Sequence, residues 1–353
     1  MAVFGEAPLL VVGWLAWFTG HGGAGDFAIF RRAGEAVLHG HTPYVRPTLE
    51  ALVQNDRFVY PMPFAYPFVP FALLGQRVGA IAFLVLSAAA VIVSLRLLGV
   101  RDWRLFGVAL LACPVFGALG IGAIGPFLLL LVAAGWRLRH SAWAGVPLAF
   151  AAAAKLFLWP LLIWLVVTRR FRAMGAALIT LAGIVALWAA VDPSGLARYP
   201  DTLRLLNLAQ RWKSYSPQTL WISLGLPAAE LVPIVLGVAG IVLLVVTRSD
   251  RRSFSLAVVV SLVASPIVWM HYLVLLLVPL ALARPRLSPM WLVPLALWAT
   301  PHPESAGTVW KIALVMAAGL AIAVLDTDCP PPIEGPARAS PGSVVELPTP
   351  SRP

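Results

Sequence analysis

Long apolar runs alternate with short polar turns along most of the chain. Ala80–Val93, Leu156–Val167, Leu231–Val246 and Ile267–Leu282 are interrupted by Gly and Pro but rarely by charge. That is the pattern of membrane-spanning helices, not the ~10-residue alternation of a membrane barrel. The first run, Pro8–Phe18, has no basic residues ahead of it and reads as an uncleaved span, not a secretory signal. Further spans are placed over Tyr60–Gly75, Val78–Leu98, 105–118, 123–136, 143–167, 174–191, 231–247, 254–264, 267–283, 288–299 and 308–325. The expected fold is an all-α polytopic membrane protein with about twelve transmembrane helices.

Two polar stretches are too long to be simple turns. The first contains GHGGAGDFAIFRRAGEAVLHGHTPY, Gly20–Tyr44. Within it Ile29, Phe30, Ala33, Val37 and Leu38 recur at helical spacing, which predicts a short amphipathic surface helix stopped by Gly40. Asp26 stands just ahead of that stripe, where a carboxylate can either cap a helix starting at Phe27 or face a ligand near the membrane surface. The stretch closes at YPMPFAYPFVPFALLG, Tyr60–Gly75, with four prolines in ten positions. Prolines at that density free backbone carbonyls, which a membrane tolerates only beside protein or a wet cavity. The second long loop runs from Asp192 to about Pro227. Residues 326–353 are rich in Pro, Ser, Gly and charge, and are expected to form a disordered cytoplasmic tail after a 1–325 membrane domain.

Composition agrees with this reading. The 353 residues are 60% hydrophobic and 12% charged, with 14 Trp, more apolar surface than a soluble domain can bury. The net charge of +11 is spread through short loops, so anionic lipids are the expected partners and nucleic acid is not. Arg169, Arg170 and Arg172, with Arg248, Arg251 and Arg252, assign their turns to the cytoplasm. Counting spans then puts both long loops outside, and Arg101, Arg104, Arg137 and Arg139 fall outside with them, against the rule.

With that parity, Asp26, Tyr60, the loop carrying Asn207, Arg211, Lys213 and Tyr215, and SPIVWMHY (Ser265–Tyr272) meet at one face. An ionisable residue at the depth of His271 is usually paired or functional, whereas Trp269 and Tyr272 also suit an interfacial anchor. Lys155 is the only charge in the run AFAAAAKLFLWPLLIW. An unpaired ammonium there costs at least ~2.5–3.5 kcal/mol, so it should face a cavity, a carboxylate or a phosphate, or else snorkel along its own stem. No metal-ligand spacing and no cofactor motif is present.

The segments GDFAIFRRAGEAVLHGHTPY, VYPMPFAYPFVPFALLG, KLFLWPLLIWLVVTRRFR, KSYSPQTLWISLGLP and SPIVWMHYLVLLLVPL, in that order, resemble glycosyltransferase family 87, membrane-embedded transferases of the C-type (GT-C) fold. The resemblance implies inverting transfer of a hexose, with mannose first, from a polyprenyl-phosphate donor to a lipid-linked or glycan acceptor. It places the site at the outer face of the cytoplasmic membrane. It implies Asp26 as general base and His271 as its catalytic partner, with Lys155 or Arg211 on the phosphate and Tyr60 and Trp269 on the sugar. Arabinose or another polyprenyl-phosphate sugar is the alternative donor. A lipid-linked-sugar transporter is the competing class, and it would show paired, inverted halves.

Overall fold

The structure, a computed structural model, describes residues 13–17, 24–44, 48–53, 57–300 and 308–324. Most of the first span and the whole of the expected tail lie outside the described residues. Within them the chain is helical, with no strand. Gly75–Leu97 and Phe171–Val191 are long and apolar enough to cross a membrane. Trp103–Leu111 and Cys113–Ile121, bent by 65° at Ala112, make a third such span if taken together. The bend falls where Pro114 enters the second helix and cannot donate to the carbonyl of Leu110. Shorter apolar helices, among them Gly125–Arg137, Leu231–Val246 and Val309–Val324, pack around these.

The outer surface of this bundle is apolar. Phe171–Val191 leaves Leu178, Ile179, Val185 and Leu187 exposed, and Leu231–Val246 leaves Ile234, Val235, Val238 and Val242 exposed. Water would penalise such continuous stripes, whereas hydrocarbon does not. Inward-facing residues form one large core through the bundle and a second, aromatic-rich core around Phe27, Phe30, Tyr60, Phe68 and Phe83.

Two expected spans are not single continuous helices. Tyr60–Gly75 folds as a 3₁₀ turn, Met62–Phe68, followed by the short helix Val69–Leu73. Both parts lie against the helix Gly25–Leu38. Phe68 stacks on Phe30 at 4.7 Å, Tyr60 meets the same ring at 5.1 Å and Phe71 meets Phe27 at 5.9 Å. The prolines explain the shortness of these pieces, since each removes a donor from any longer α-helix.

The second is 143–167, where the expected continuous helix is a hairpin. Gly145–Ala154 ends at Lys155, whose backbone is extended (φ −140°, ψ 101°), and the chain continues through Leu156–Leu158 into Pro160–Val167. Pro160 stands first in the second arm and bars an α-helical bond to the carbonyl of Leu156, so the break must come before it. The first arm begins and the second ends at the same end of the bundle. The Arg170 side chain donates to the Arg139 carbonyl at 2.7 Å, and Asp250 accepts from Arg170 at 2.8 Å and lies 3.5 Å from Arg139. Gly145 packs on the first turns of Phe171–Val191, where any side chain would strike Ala173 and Ala177. Lys155 is therefore the tip of a hairpin, about 15 Å in from that end at 1.5 Å per helical residue.

The same contacts correct the charge parity. Arg137 and Arg139 share one end with Arg169–Arg172 and with the Arg248–Arg252 turn. Gly75–Leu97 runs in the same direction as Gly125–Arg137: Gly79, near the start of the first, and Gly122, just ahead of the second, both lie against Phe27, and Phe83 is 5.2 Å from Phe127. Arg96, which lies over Phe106, and Arg101 and Arg104 therefore emerge at this end too. One end of the bundle gathers these arginines, and the other holds both long polar stretches.

Candidate active site

The helix Gly25–Leu38 brings Asp26 to the end of the bundle away from the arginine turns. Its buried face is Phe27, Ile29, Phe30, Ala33, Gly34 and Val37, close to the expected stripe, although Leu38 is exposed. Gly40, at φ +72°, closes the helix: its own N–H reaches the Val37 carbonyl and that of His41 reaches Ala36. The helix begins earlier than expected, with Ala24 at the cap and no side-chain capping bond. Asp26 thus sits inside the first turn. The capping role is not the one it plays, and its carboxylate forms no ion pair within 4.0 Å among the described residues.

Close backbone approach fixes this helix. A side chain at Gly34 would meet the Phe68 carbonyl at 2.7 Å, and one at Gly122 would meet the Phe27 Cβ at 2.6 Å. Three residues on, a Cβ at Gly125 would lie 2.8 Å from the His271 carbonyl oxygen. The glycine-rich turn between Cys113–Ile121 and Gly125–Arg137 therefore presses on the Asp26 helix and on the His271 segment at once. Arg31 serves the same helix from outside, donating to Gln76 at 2.9 Å and to Glu35 at 3.1 Å.

Trp269, His271 and Tyr272 occupy an extended residue followed by the 3₁₀ turn Met270–Leu276. The loop 214–216 straps that entry in place. The Tyr215 N–H donates to the Val268 carbonyl at 2.7 Å, the Val268 N–H to Ser214 Oγ at 2.8 Å and Ser216 Oγ to the Pro266 carbonyl at 2.8 Å. Pro279 in the following helix withholds the donor that an α-turn through Leu275 needs, which leaves the tighter 3₁₀ geometry.

Lys155 arrives between these elements from the hairpin tip. Its Nζ donates to Tyr272 Oη at 2.5 Å and lies over three aromatic rings: Tyr60 at 4.3 Å, Tyr272 at 4.8 Å and Trp269 at 5.5 Å. Cation–π contacts of this kind contribute about 0.5–2 kcal/mol each, so the rings offset part of the cost of placing an ammonium at this depth. His271 packs edge-on to Tyr272 at 4.7 Å and beside Trp269 at 5.6 Å. Asp26 is near enough for its charge and that of Lys155 to act on each other. Burial pushes the Asp26 carboxyl up from its ordinary value to about 6, and the Lys155 ammonium draws it back down.

The structure thus gathers Asp26, Tyr60, Lys155, Trp269 and His271. Arg211 is placed elsewhere: its guanidinium reaches Glu230 at 3.5 Å and lies over Trp212 at 5.5 Å. Three tyrosines join the site that the sequence did not single out for it. Tyr272 touches Lys155 directly. Tyr44 Oη donates to the Tyr60 carbonyl at 2.6 Å and Tyr199 Oη to the Val59 carbonyl at 3.1 Å, so both hold the peptide that carries Tyr60. Behind them Asp192 accepts from Thr42, Ser194 and the Gly195 N–H. Burial alone would raise its carboxyl, but these bonds and nearby Arg198 hold it below its ordinary value. The signal for Tyr44 was its place beside Pro43 at the end of the first loop; Tyr199 lay in a stretch that read as loop and is helix, Pro193–Gln210.

A carboxylate without a partner among the described residues can accept a proton, and the ammonium beside it, held by aromatic rings, can bind an anion. Among the described residues no group of three or more His, Cys, Asp or Glu could hold a metal ion. No curated protein and no solved structure matches the chain. The profile of glycosyltransferase family 87 matches residues 58–270, well over half of the chain, in a stretch that carries Tyr60, the whole Lys155 hairpin and Trp269. The chain is a helical, membrane-type protein that belongs to glycosyltransferase family 87.

Proposed function

We propose that the protein transfers a hexose, mannose first, from a polyprenyl phosphate to a hydroxyl of a lipid-linked or glycan acceptor, with inversion. The observation that carries this reading is the placement of Asp26, unpartnered among the described residues, beside caged Lys155, where a base and an anion-binding cation meet under one roof. Asp26 takes the acceptor proton as the acceptor oxygen bonds to the anomeric carbon. The bond from that carbon to the phosphate oxygen breaks, and the electron pair leaves with the phosphate. Lys155, with His271 facing the same space, stabilises that growing charge. A phosphate needs no proton to leave, so one carboxylate suffices, unlike the pair in an inverting glycosidase. Tyr60 and Trp269 offer ring faces to the sugar. Arg211 is the weaker candidate for the phosphate because Glu230 already engages it.

The donor is lipid-linked in this reading because Lys155 lies at the tip of a loop whose next residue, Leu156, is exposed on an apolar surface. The arginine-rich end faces the cytoplasm by the positive-inside rule, which puts Asp26 and Lys155 at the outer face of the cytoplasmic membrane. The shorter apolar helices complete the crossing in a C-type architecture. The test is transfer of radiolabelled mannose from polyprenyl phosphomannose to endogenous acceptors in membranes, wild type against Asp26→Asn. Label moved by the wild type and not by the variant is expected; equal transfer by both removes Asp26 from the mechanism. No transfer by either sends the search to arabinose and other polyprenyl-phosphate sugars.

A further inference from the structure

We propose that Tyr272 is a catalytic residue of this reaction, its phenol O–H donating a hydrogen bond to the leaving phosphate beside Lys155. The inference rests on the polyprenyl-phosphate reading above. It starts from a count of donors. A phenol has one proton to give and oxygen lone pairs to receive. The Tyr272 oxygen receives the Lys155 ammonium at 2.5 Å, and an ammonium can only donate. The phenol proton must then point elsewhere, and none of the described residues accepts it. Tyr272 is 5% exposed, and a buried donor without an acceptor is costly enough to be rare.

Packing fixes the direction of the phenol. The ring stacks on Phe157 at 5.0 Å and meets Trp269 at 5.3 Å and His271 at 4.7 Å, so it cannot swing away. Its oxygen lies where Lys155 and Asp26 act on each other. A phosphate bound to Lys155 is thereby within reach of the O–H, and the ammonium on the same oxygen polarises the phenol and makes it the stronger donor. Two adjacent donors on one phosphate match the charge that develops as the sugar–phosphate bond breaks. The tyrosine keeps its proton throughout, and the acceptor's proton still goes to Asp26.

Tyr272→Phe keeps the ring and its stacking and removes only the hydroxyl. The expected result is a kcat lower on the order of 10²-fold, with the acceptor KM unmoved and inhibition by free polyprenyl phosphate about tenfold weaker. The distinguishing measurement adds Tyr272→Phe to Lys155→Met. If the phenol itself contacts phosphate, its loss still lowers transfer about tenfold in that background. No further loss there means that Tyr272 acts only by holding Lys155, and the proposal fails. Wild-type kcat and inhibition in Tyr272→Phe overturn it as well. Equilibrium binding of polyprenyl phosphate is read beside transfer. A wild type that binds it but moves no sugar ends the transferase reading, and Tyr272 then stands or falls on whether the variant binds about tenfold more weakly.

Discussion

At the scale of the residue, the candidate site denies its charged groups ordinary partners. Asp26 is half-buried, with no capping bond and no ion pair among the described residues, and burial, outweighing the pull of Lys155, pushes its carboxyl up to about 6. In its proposed role as general base Asp26 must be ionised, so transfer is expected to rise with pH through about 6 and then level off. Removing the ammonium should move that limb. In Lys155→Met the lowered plateau reaches half its height at a higher pH than in the wild type, and an unmoved limb would mean that the two charges do not act on each other. The sign for stability is the opposite. The folded protein holds this proton more tightly than the unfolded chain, so the stability that Asp26 contributes is present at low pH and is lost as pH rises from about 4 to 6. In Asp26→Asn that part of the slope of stability against pH should vanish, which chemical unfolding in detergent at pH 4 and pH 7 can measure.

At the scale of the element, glycines and prolines set the positions of the reactive groups. Gly125→Val would drive a branched side chain into the His271 backbone, an overpacking that costs about 1–3 kcal/mol and displaces the segment that carries Trp269, His271 and Tyr272. We expect a drop in kcat of at least about tenfold with insertion retained. Gly117→Val, in the helix just before, has open space around it and should stay near wild type; equal effects of the two would count against contact with His271 as the cause. Pro160 sets the hairpin. Pro160→Leu permits an α-helix to run on through Lys155, which would carry the ammonium out of the Tyr60–Trp269–Tyr272 cage. Loss of transfer and of polyprenyl-phosphate inhibition together is the expected outcome.

At the scale of the whole molecule, the hairpin decides the topology. If 143–167 returns to its starting end, positions 141 and 172 lie on one side of the membrane and position 35 on the other. Single cysteines replacing Ser141, Arg172 and Glu35, in a background with Cys113→Ala and Cys329→Ser, can be tested with a membrane-impermeant maleimide on intact cells. Labelling at 35 alone is expected. Labelling at 141 but not at 172 would restore the crossing and refute the re-entrant loop. The Arg139–Asp250–Arg170 group ties the hairpin to its neighbours, but these side chains are partly exposed, so each pair contributes at most about 1 kcal/mol. The packing of Trp136, Trp164 and Phe254 beneath them contributes the larger part.

Apolar period and proline placement are local properties, and the sequence by itself determined what depends on them: a helical membrane-type chain, an amphipathic helix in the first long polar stretch, the proline-rich interruption within Tyr60–Gly75 and the rarity of a lysine at position 155. The order of five short segments also carries the resemblance to glycosyltransferase family 87, the family the chain belongs to. Which ends of those segments lie together is a matter of distant pairings, and only the tertiary structure decided it. A run of 25 apolar residues reads alike whether it crosses or turns back, so the Lys155 hairpin and the side on which Arg139 lies were not legible. The same limit hid Tyr272, which suits an interfacial anchor until Lys155, 117 positions earlier, is placed on its oxygen. It also leaves Arg211 equal to Lys155 as a candidate for the phosphate, and only the Glu230 carboxylate beside it tells the two apart. Charge and periodicity say which residues are unusual; packing alone says which of them meet.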